Sequence, residues 1–238
     1  MHTVSRRLVL RGAAFAIAAG ATPQVANAVR DNAFVSADSI PLLDLLLPPP
    51  AQDSATTKFE LEEIVKVQAA ASAERKRRAI ADDKSSLVQF LAGMDLPVGR
   101  EDIALSARLF ARATASANDI VATAKDAFKR PRPSLLERQI EPLISLPDNG
   151  AYPSGHSANG SIIGIVLAKM LPEKKAAVFA RVRGYAWSRV VVGVHYRSDL
   201  EAGFTTGSLI ANAMLHSNGF QHDFEPAKAE LRRALGMA

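Results

Sequence analysis

The sequence has no cysteine, so disulfides, thiolate nucleophiles, iron–sulfur clusters and Cys-based zinc sites are excluded. Any metal would have to be held by the five histidines and the carboxylates. After residue 28 no stretch has eighteen uninterrupted apolar residues, which argues against a membrane-spanning bundle. Alternating strand patterns are scarce, the one β-branched cluster being Val190-Val191-Val192 with Val194. Excess charge is also missing once its position is considered. Of the formal +5, three charges are Arg6, Arg7 and Arg11, which leaves 26 basic against 24 acidic residues from residue 29 onward. Such a balance predicts no broad basic face and no nucleic-acid partner. What remains, 48% hydrophobic and 22% charged over 238 residues, is the composition of a globular chain long enough for one domain with a sizeable core.

The first segment reads as an address. Ser5-Arg6-Arg7-Leu8-Val9-Leu10-Arg11 is basic, Gly12 to Ala21 is small and apolar, and Val25-Ala26-Asn27-Ala28 ends it with small residues at Ala26 and Ala28. That order predicts a secretory signal cleaved after Ala28, and the arginine pair resembles a twin-arginine export signal. A run of about ten apolar residues is too short for a bilayer core that needs roughly twenty. The working chain is then expected to be residues 29–238, a single domain in the periplasm.

In that chain, the leucines Leu42 to Leu47 followed by Pro48-Pro49-Pro50 predict an apolar plug and a stiff extended segment lying across the domain surface. Residues 57–84 are rich in Ala, Glu, Lys, Arg and Gln, with Leu61, Ile64, Val65 and Gln68 at helical spacing. Arg75-Lys76-Arg77-Arg78 near the end of this stretch reads as a solvated helix face, because no aromatic platforms interleave it. Further helices are expected over 85–94, 101–128, 155–171, 173–191, 199–216 and 225–235, with an irregular, proline-containing stretch over 133–152. The expected fold is one all-α domain.

Three motifs carry chemistry. Lys125 and Arg132 stand seven apart across a helix end and are followed by Pro133; a compact ammonium and a planar guanidinium are complementary holds on a phosphate. Pro153-Ser154-Gly155-His156 lies where a loop becomes an apolar helix. Ser154 can cap that helix, and Gly155 lets the backbone approach a ligand with its N–H groups free, which makes an anion site. His156 in the first turn would sit at the rim, positioned to donate a proton. The third motif, Ser188-Arg189 with His195 and Asp199, adds another guanidinium and a histidine–aspartate pair four apart. The carboxylate can accept the Nδ1 proton and leave Nε2 as a nucleophilic lone pair.

Lys-x6-Arg-Pro, Pro-Ser-Gly-His and Ser-Arg-x5-His-x3-Asp, in this order, resemble the signature of the type 2 phosphatidic acid phosphatase (PAP2) superfamily. Within it, Leu46-Leu47-Pro48-Pro49-Pro50 with Asp53-Ser54, the size and the signal segment are similar to the secreted class A bacterial nonspecific acid phosphatases. Two positions depart from the pattern, with Ser134 in place of an aromatic and Ser157 in place of threonine. The resemblance implies a helical bundle of the PAP2/haloperoxidase type, small-molecule phosphate monoesters as substrates, no metal or other cofactor, no stable membrane insertion, and a homo-oligomer. It implies that His195 attacks phosphorus and that Asp199 fixes its tautomer. His156 would then protonate the leaving group, while Lys125, Arg132, Arg189, Ser154 and Gly155 bind the phosphoryl oxygens. The resulting phosphohistidine can pass its phosphoryl group to water or to an alcohol. The alternatives are a vanadium-dependent haloperoxidase-like enzyme and a lipid phosphatase. His216 and His222 lie outside the motifs and are expected at the surface.

Overall fold

The computed structural model describes residues 33–84 and 86–237. The predicted signal segment, its cleavage site and the expected helix start at Ser85 lie outside the described residues. Among those described, the architecture is all-α without strands. Its helices are α1 (Ala55–Ala70), α2 (Ala73–Ala81), α3 (Leu87–Ala92), α4 (Ala104–Phe128), α5 (Gly155–Met170), α6 (Lys175–Val191), α7 (Arg197–Leu215) and α8 (Asn218–Ala234). Single helical turns at Leu42–Leu45 and Pro133–Leu136 and three short 3₁₀ segments complete the order.

The bundle is organised around α5. Ala158, Ile162, Ile163, Val166 and Leu167 are all buried, and the helix is apolar around most of its circumference, as a central helix must be. It packs against α4, α6 and α7. Each fully buried Ile or Leu there contributes about 1.5–3 kcal/mol. The closest approach is to α7, where a Cβ on Gly207 would lie 2.3 Å from the Ala158 carbonyl oxygen and one on Gly203 would lie 2.5 Å from that of Ser154. Only glycine allows α7 to come so near, and this contact seats the start of α5 beside the start of α7.

Several boundaries differ from the sequence expectation. The stretch 57–84 is two helices, because Ser72 caps α2 by accepting from Arg75 N and Ala71 is extended. The last helix begins at Asn218 under a Ser217 cap and continues through Pro226, although a proline in a helix interior forfeits one hydrogen bond. Buried Phe220, Phe224, Ala227 and Leu231 hold it in place. The leucine plug is half anchored, with Leu42 and Leu46 buried and Leu43, Leu45 and Leu47 exposed. The Leu47 carbonyl accepts from the Tyr152 hydroxyl. The valine cluster ends α6 at Val191, where the sequence predicted the helix end, and enters a turn that Gly193 makes at φ 75°.

Candidate functional site

The site forms where the carboxyl ends of α4 and α6 meet the amino ends of α5 and α7. Lys125 occupies the last turn of α4, which stops at Lys129 in the left-handed region with φ 47°. The chain then turns back: Ala151 N donates to Arg130 O, and Lys125 Nζ donates to Gly150 O at 2.5 Å. Arg132 follows in extended conformation, as a residue before proline should be. From the other side, Arg189 lies in the last turn of α6. The Gly193 turn reverses the chain so that Val194 N donates to Arg189 O and His195 arrives just before α7.

Arg132 is the keystone of this meeting. Its Nε and Nη2 donate to the backbone and side-chain oxygens of Asn149, and its Nη1 donates to Val194 O at 2.9 Å and faces His195 Nε2 at 3.0 Å. A guanidinium can only donate, so Nε2 is the unprotonated nitrogen of His195. The ring proton is therefore on Nδ1, which faces Asp199 Oδ2 at 3.1 Å. Asp199 is fully buried. Its Oδ2 also accepts from Tyr196 N at 2.9 Å, and its Oδ1 accepts from Arg130 at 2.6 Å. Arg130 is a residue that the motifs did not single out.

Of the predicted residues, the structure gathers Lys125, Arg132, Arg189, His195 and Asp199 into one buried electrostatic cluster. Ser154 is fully buried beside it. Its N–H donates to Asp199 O and its hydroxyl oxygen accepts from Ser157 N, and among the described residues no acceptor is seen for the hydroxyl proton. A Cβ on Gly155 would meet only Val121, at an ordinary 3.5 Å, so the protein's own packing leaves room there. His156 is stacked on Tyr185 and directs Nε2 at the Asp82 carbonyl at 2.5 Å, so in this structure that proton goes to the loop after α2. Sequence reasoning missed this loop. Asp82 is buried, clasped by both terminal nitrogens of Arg181 and by the Ser188 hydroxyl, and neighbouring Asp83 pairs with Arg189 at 2.9 Å. His216 and His222 are exposed. Among the described residues no group of three His, Asp or Glu side chains is placed to hold a metal ion.

The cations are crowded. Burial, then the nearby Arg132, lowers Lys125 to about 7, and burial lowers Arg132 to about 10. Burial, followed by the fields of Arg132, Lys125 and Arg189, pushes His195 well below the ordinary histidine value, so it is neutral at pH 7. Burial and the Arg189 charge lower His156 to about 4. Asp199 is raised by burial, with Arg130 as the main opposing influence. Arg189 Nε is buried with no hydrogen-bond partner among the described residues. Three mutually repelling cations, one with an idle buried donor, are the electrostatic complement of a multiply charged anion.

Residues 106–223 match the PAP2 superfamily, and that span contains every clustered residue predicted from the three motifs. The chain carries a PAP2 superfamily domain. Over 208 residues it is 29% identical to an acid phosphatase of Zymomonas mobilis, covering 82% of this chain and 77% of that one. It is 27% identical over 202 residues to a non-specific acid phosphatase of Salmonella typhimurium, covering 78% of each. The corresponding figures for that of Providencia stuartii are 28% over 208 residues, 83% and 84%. The PAP2 fold is also seen in two solved structures. A bacterial vanadium-dependent iodoperoxidase superposes with TM-score 0.56 at 21% identity over 71% of this chain, which spans about half (52%) of that protein. A transmembrane PAP2-type phosphatidylglycerolphosphate phosphatase from Bacillus subtilis superposes with TM-score 0.51 at 19% identity over 73% of this chain and 90% of that one. In the present protein no helix among the described residues is long and apolar enough to cross a membrane.

Proposed function

We propose that this protein is a periplasmic acid phosphatase that hydrolyses phosphate monoesters of broad specificity through a phosphohistidine at His195. The observation that carries this reading is the orientation of one ring, with Nδ1 on Asp199 and an unprotonated Nε2 facing the Arg132 guanidinium. Nε2 attacks phosphorus, forming an N–P bond as the ester P–O bond breaks. Asp199 holds the Nδ1 proton and balances the charge that the ring acquires. Lys125, Arg132 and Arg189, with the Ser154 hydroxyl and the Gly155 and His156 amides, take the non-bridging oxygens. Each such donor contributes about 3–4 kcal/mol at the transition state. His156 exchanges its hydrogen bond to Asp82 for the departing alkoxide and protonates it. It then takes a proton from the water that cleaves the N–P bond and releases inorganic phosphate. An alcohol in place of that water receives the phosphoryl group. A site that grips mainly the phosphoryl group predicts breadth in the leaving group.

The three cations do the electrostatic work for which other phosphatases use a divalent ion, and activity is therefore expected to be metal-independent. Hydrolysis of p-nitrophenyl phosphate should be unchanged in excess chelator. Loss of activity in chelator, restored by magnesium or zinc, would overturn that part of the reading. The rate should also climb as pH falls from 7 towards 5, because His156, lowered to about 4 in the free protein, acts as an acid only when protonated. A phosphoryl dianion beside it raises that value, and His195 stays neutral over the same range.

Phosphate binding should move a proton. With Lys125 at about 7 in the free protein, roughly nine-tenths of its side chains are neutral at pH 8. A bound dianion restores the charged form, so inorganic phosphate should bind at pH 8 with uptake of close to one proton. Calorimetry in buffers of differing ionisation enthalpy measures this. Uptake that is absent at pH 8, or unchanged in Lys125→Met, would contradict the assignment of Lys125 to the phosphate.

Export is part of the same proposal. Protein recovered from its native host should begin at Val29, and a mature amino terminus at Met1 would refute cleavage after Ala28.

A further inference from the structure

We propose that Arg130, backed by Glu60, is a positioning residue that locks the carboxylate of Asp199, and through it the ring of His195, in the geometry for attack on phosphorus. The inference rests on the phosphohistidine reading and extends it to two residues outside the three motifs' assignments.

The Arg130 side chain is 4% exposed and spans two carboxylates. One terminal nitrogen donates to Asp199 Oδ1 at 2.6 Å and to the Ser198 hydroxyl at 2.7 Å, and the other donates to Glu60 Oε2 at 2.9 Å. Its guanidinium carbon lies 3.8 Å from the centroid of the Tyr196 ring. Glu60, on α1 and also buried, accepts from Ser198 N at 2.6 Å and from the Ser198 hydroxyl at 3.0 Å. The first turn of α7 is thus held by an ion triad that joins three separate parts of the chain.

Stability does not account for such a triad. Removing charged groups from water costs several kcal/mol per ion, and buried ion pairs can often be replaced by apolar residues without loss. Its geometric effect is specific. With Oδ1 committed to Arg130, Oδ2 is left for Tyr196 N and His195 Nδ1, and the carboxylate cannot turn away. Its charge state is fixed by the same contact. The groups bearing on Asp199 are Arg130, Lys125, Arg132, His195 and the Tyr196 N–H, and Arg130 is the main influence favouring the carboxylate against burial. Without it, Asp199 takes up a proton at higher pH. A protonated carboxyl can donate to Nδ1, which moves the ring proton to Nε2 and removes the nucleophile.

The test compares Arg130→Gln, Arg130→Lys and Glu60→Gln with the wild type and His195→Ala. Hydrolysis of p-nitrophenyl phosphate is followed across pH, with folding checked by circular dichroism. For Arg130→Gln, kcat should fall roughly 100-fold, less than the ~10⁴ that loss of the carboxylate itself would cause. KM should stay within about threefold because the phosphate donors are untouched. The acid limb of the profile should move to higher pH, and Arg130→Lys should recover part of both effects. Glu60→Gln keeps an acceptor for Arg130 but removes a negative charge from the triad, so it should move the acid limb the other way, to lower pH, and by less. A wild-type kcat and profile in Arg130→Gln, or a loss confined to KM with the acid limb unmoved, would overturn the proposal. If Arg130→Gln does not fold, an unshifted profile in Glu60→Gln overturns it. Activity surviving in His195→Ala would instead overturn the phosphohistidine reading. An inactive His195→Ala beside a wild-type Arg130→Gln overturns the positioning role alone.

Discussion

Replacing His195 by alanine is expected to lower hydrolysis of every phosphate monoester by roughly 10⁵-fold or more, the scale seen when a covalent nucleophile is removed from an otherwise intact site. The loss should fall on kcat. Lys125 and Arg189 keep their positions, and Arg132 keeps its bonds to Asn149 and Val194, so phosphate should still bind. No phosphoprotein should form in this variant. His156→Ala should behave differently, slowing turnover while a phosphoenzyme accumulates, most clearly with poor leaving groups. The two histidines are therefore separable by experiment. A His195→Ala variant within tenfold of the wild-type rate would contradict the account.

The second large effect is expected from Asp199→Asn. The substitution preserves shape, and Arg130 keeps Glu60 as a charged partner, so the fold should survive. What changes is the proton on His195. If the amide nitrogen faces Nδ1, that nitrogen must accept, and the ring proton moves to Nε2, which then faces the Arg132 guanidinium donor against donor. If the amide oxygen faces Nδ1, the tautomer is kept but the negative charge that balances the phosphoimidazolium is gone. Either arrangement raises the barrier, and a loss of about 10⁴ in kcat is expected for a carboxylate that sets the tautomer of a catalytic histidine. Steady-state kinetics measures this directly, and a loss of less than tenfold would contradict the orienting role of Asp199.

The all-α class and the His195–Asp199 pair were legible in the sequence because each rests on short spacings, whereas the gathering of Lys125, Arg132 and Arg189 around them, from distant parts of the chain, was what the resemblance to the PAP2 signature implied. Apolar periodicity in α4 and the four-residue step from His195 to Asp199 are local patterns, and helical geometry converts them into shared faces. The break between α1 and α2 was hidden because the Ala-rich composition around Ser72 suits a helix, and only the Ser72 side chain decides for a cap. The early start of α8 was masked by Pro226, whose cost is outweighed by the apolar face that the helix buries. The Asp82–Asp83 loop and the Glu60–Arg130 pair could not be read at all. Glu60 and Arg130 are 70 residues apart, and Asp83 and Arg189 are 106 apart. Their contacts exist only after the bundle has formed, and an acid beside neutral residues on a helix gives no local sign that it will be buried. His156 illustrates the same limit. Its place in the first turn of α5 was legible, but its partner Asp82 lies 74 residues earlier.

The most direct measurement is the identity of the phosphorylated atom. Wild-type protein mixed with a phosphate monoester at acidic pH, quenched within milliseconds into alkaline denaturant and examined by ³¹P NMR and peptide mass spectrometry, should carry one phosphoryl group on Nε2 of His195. No trapped phosphoryl group under conditions where His156→Ala is expected to accumulate it, or a phosphoryl group on any other residue, would contradict the account.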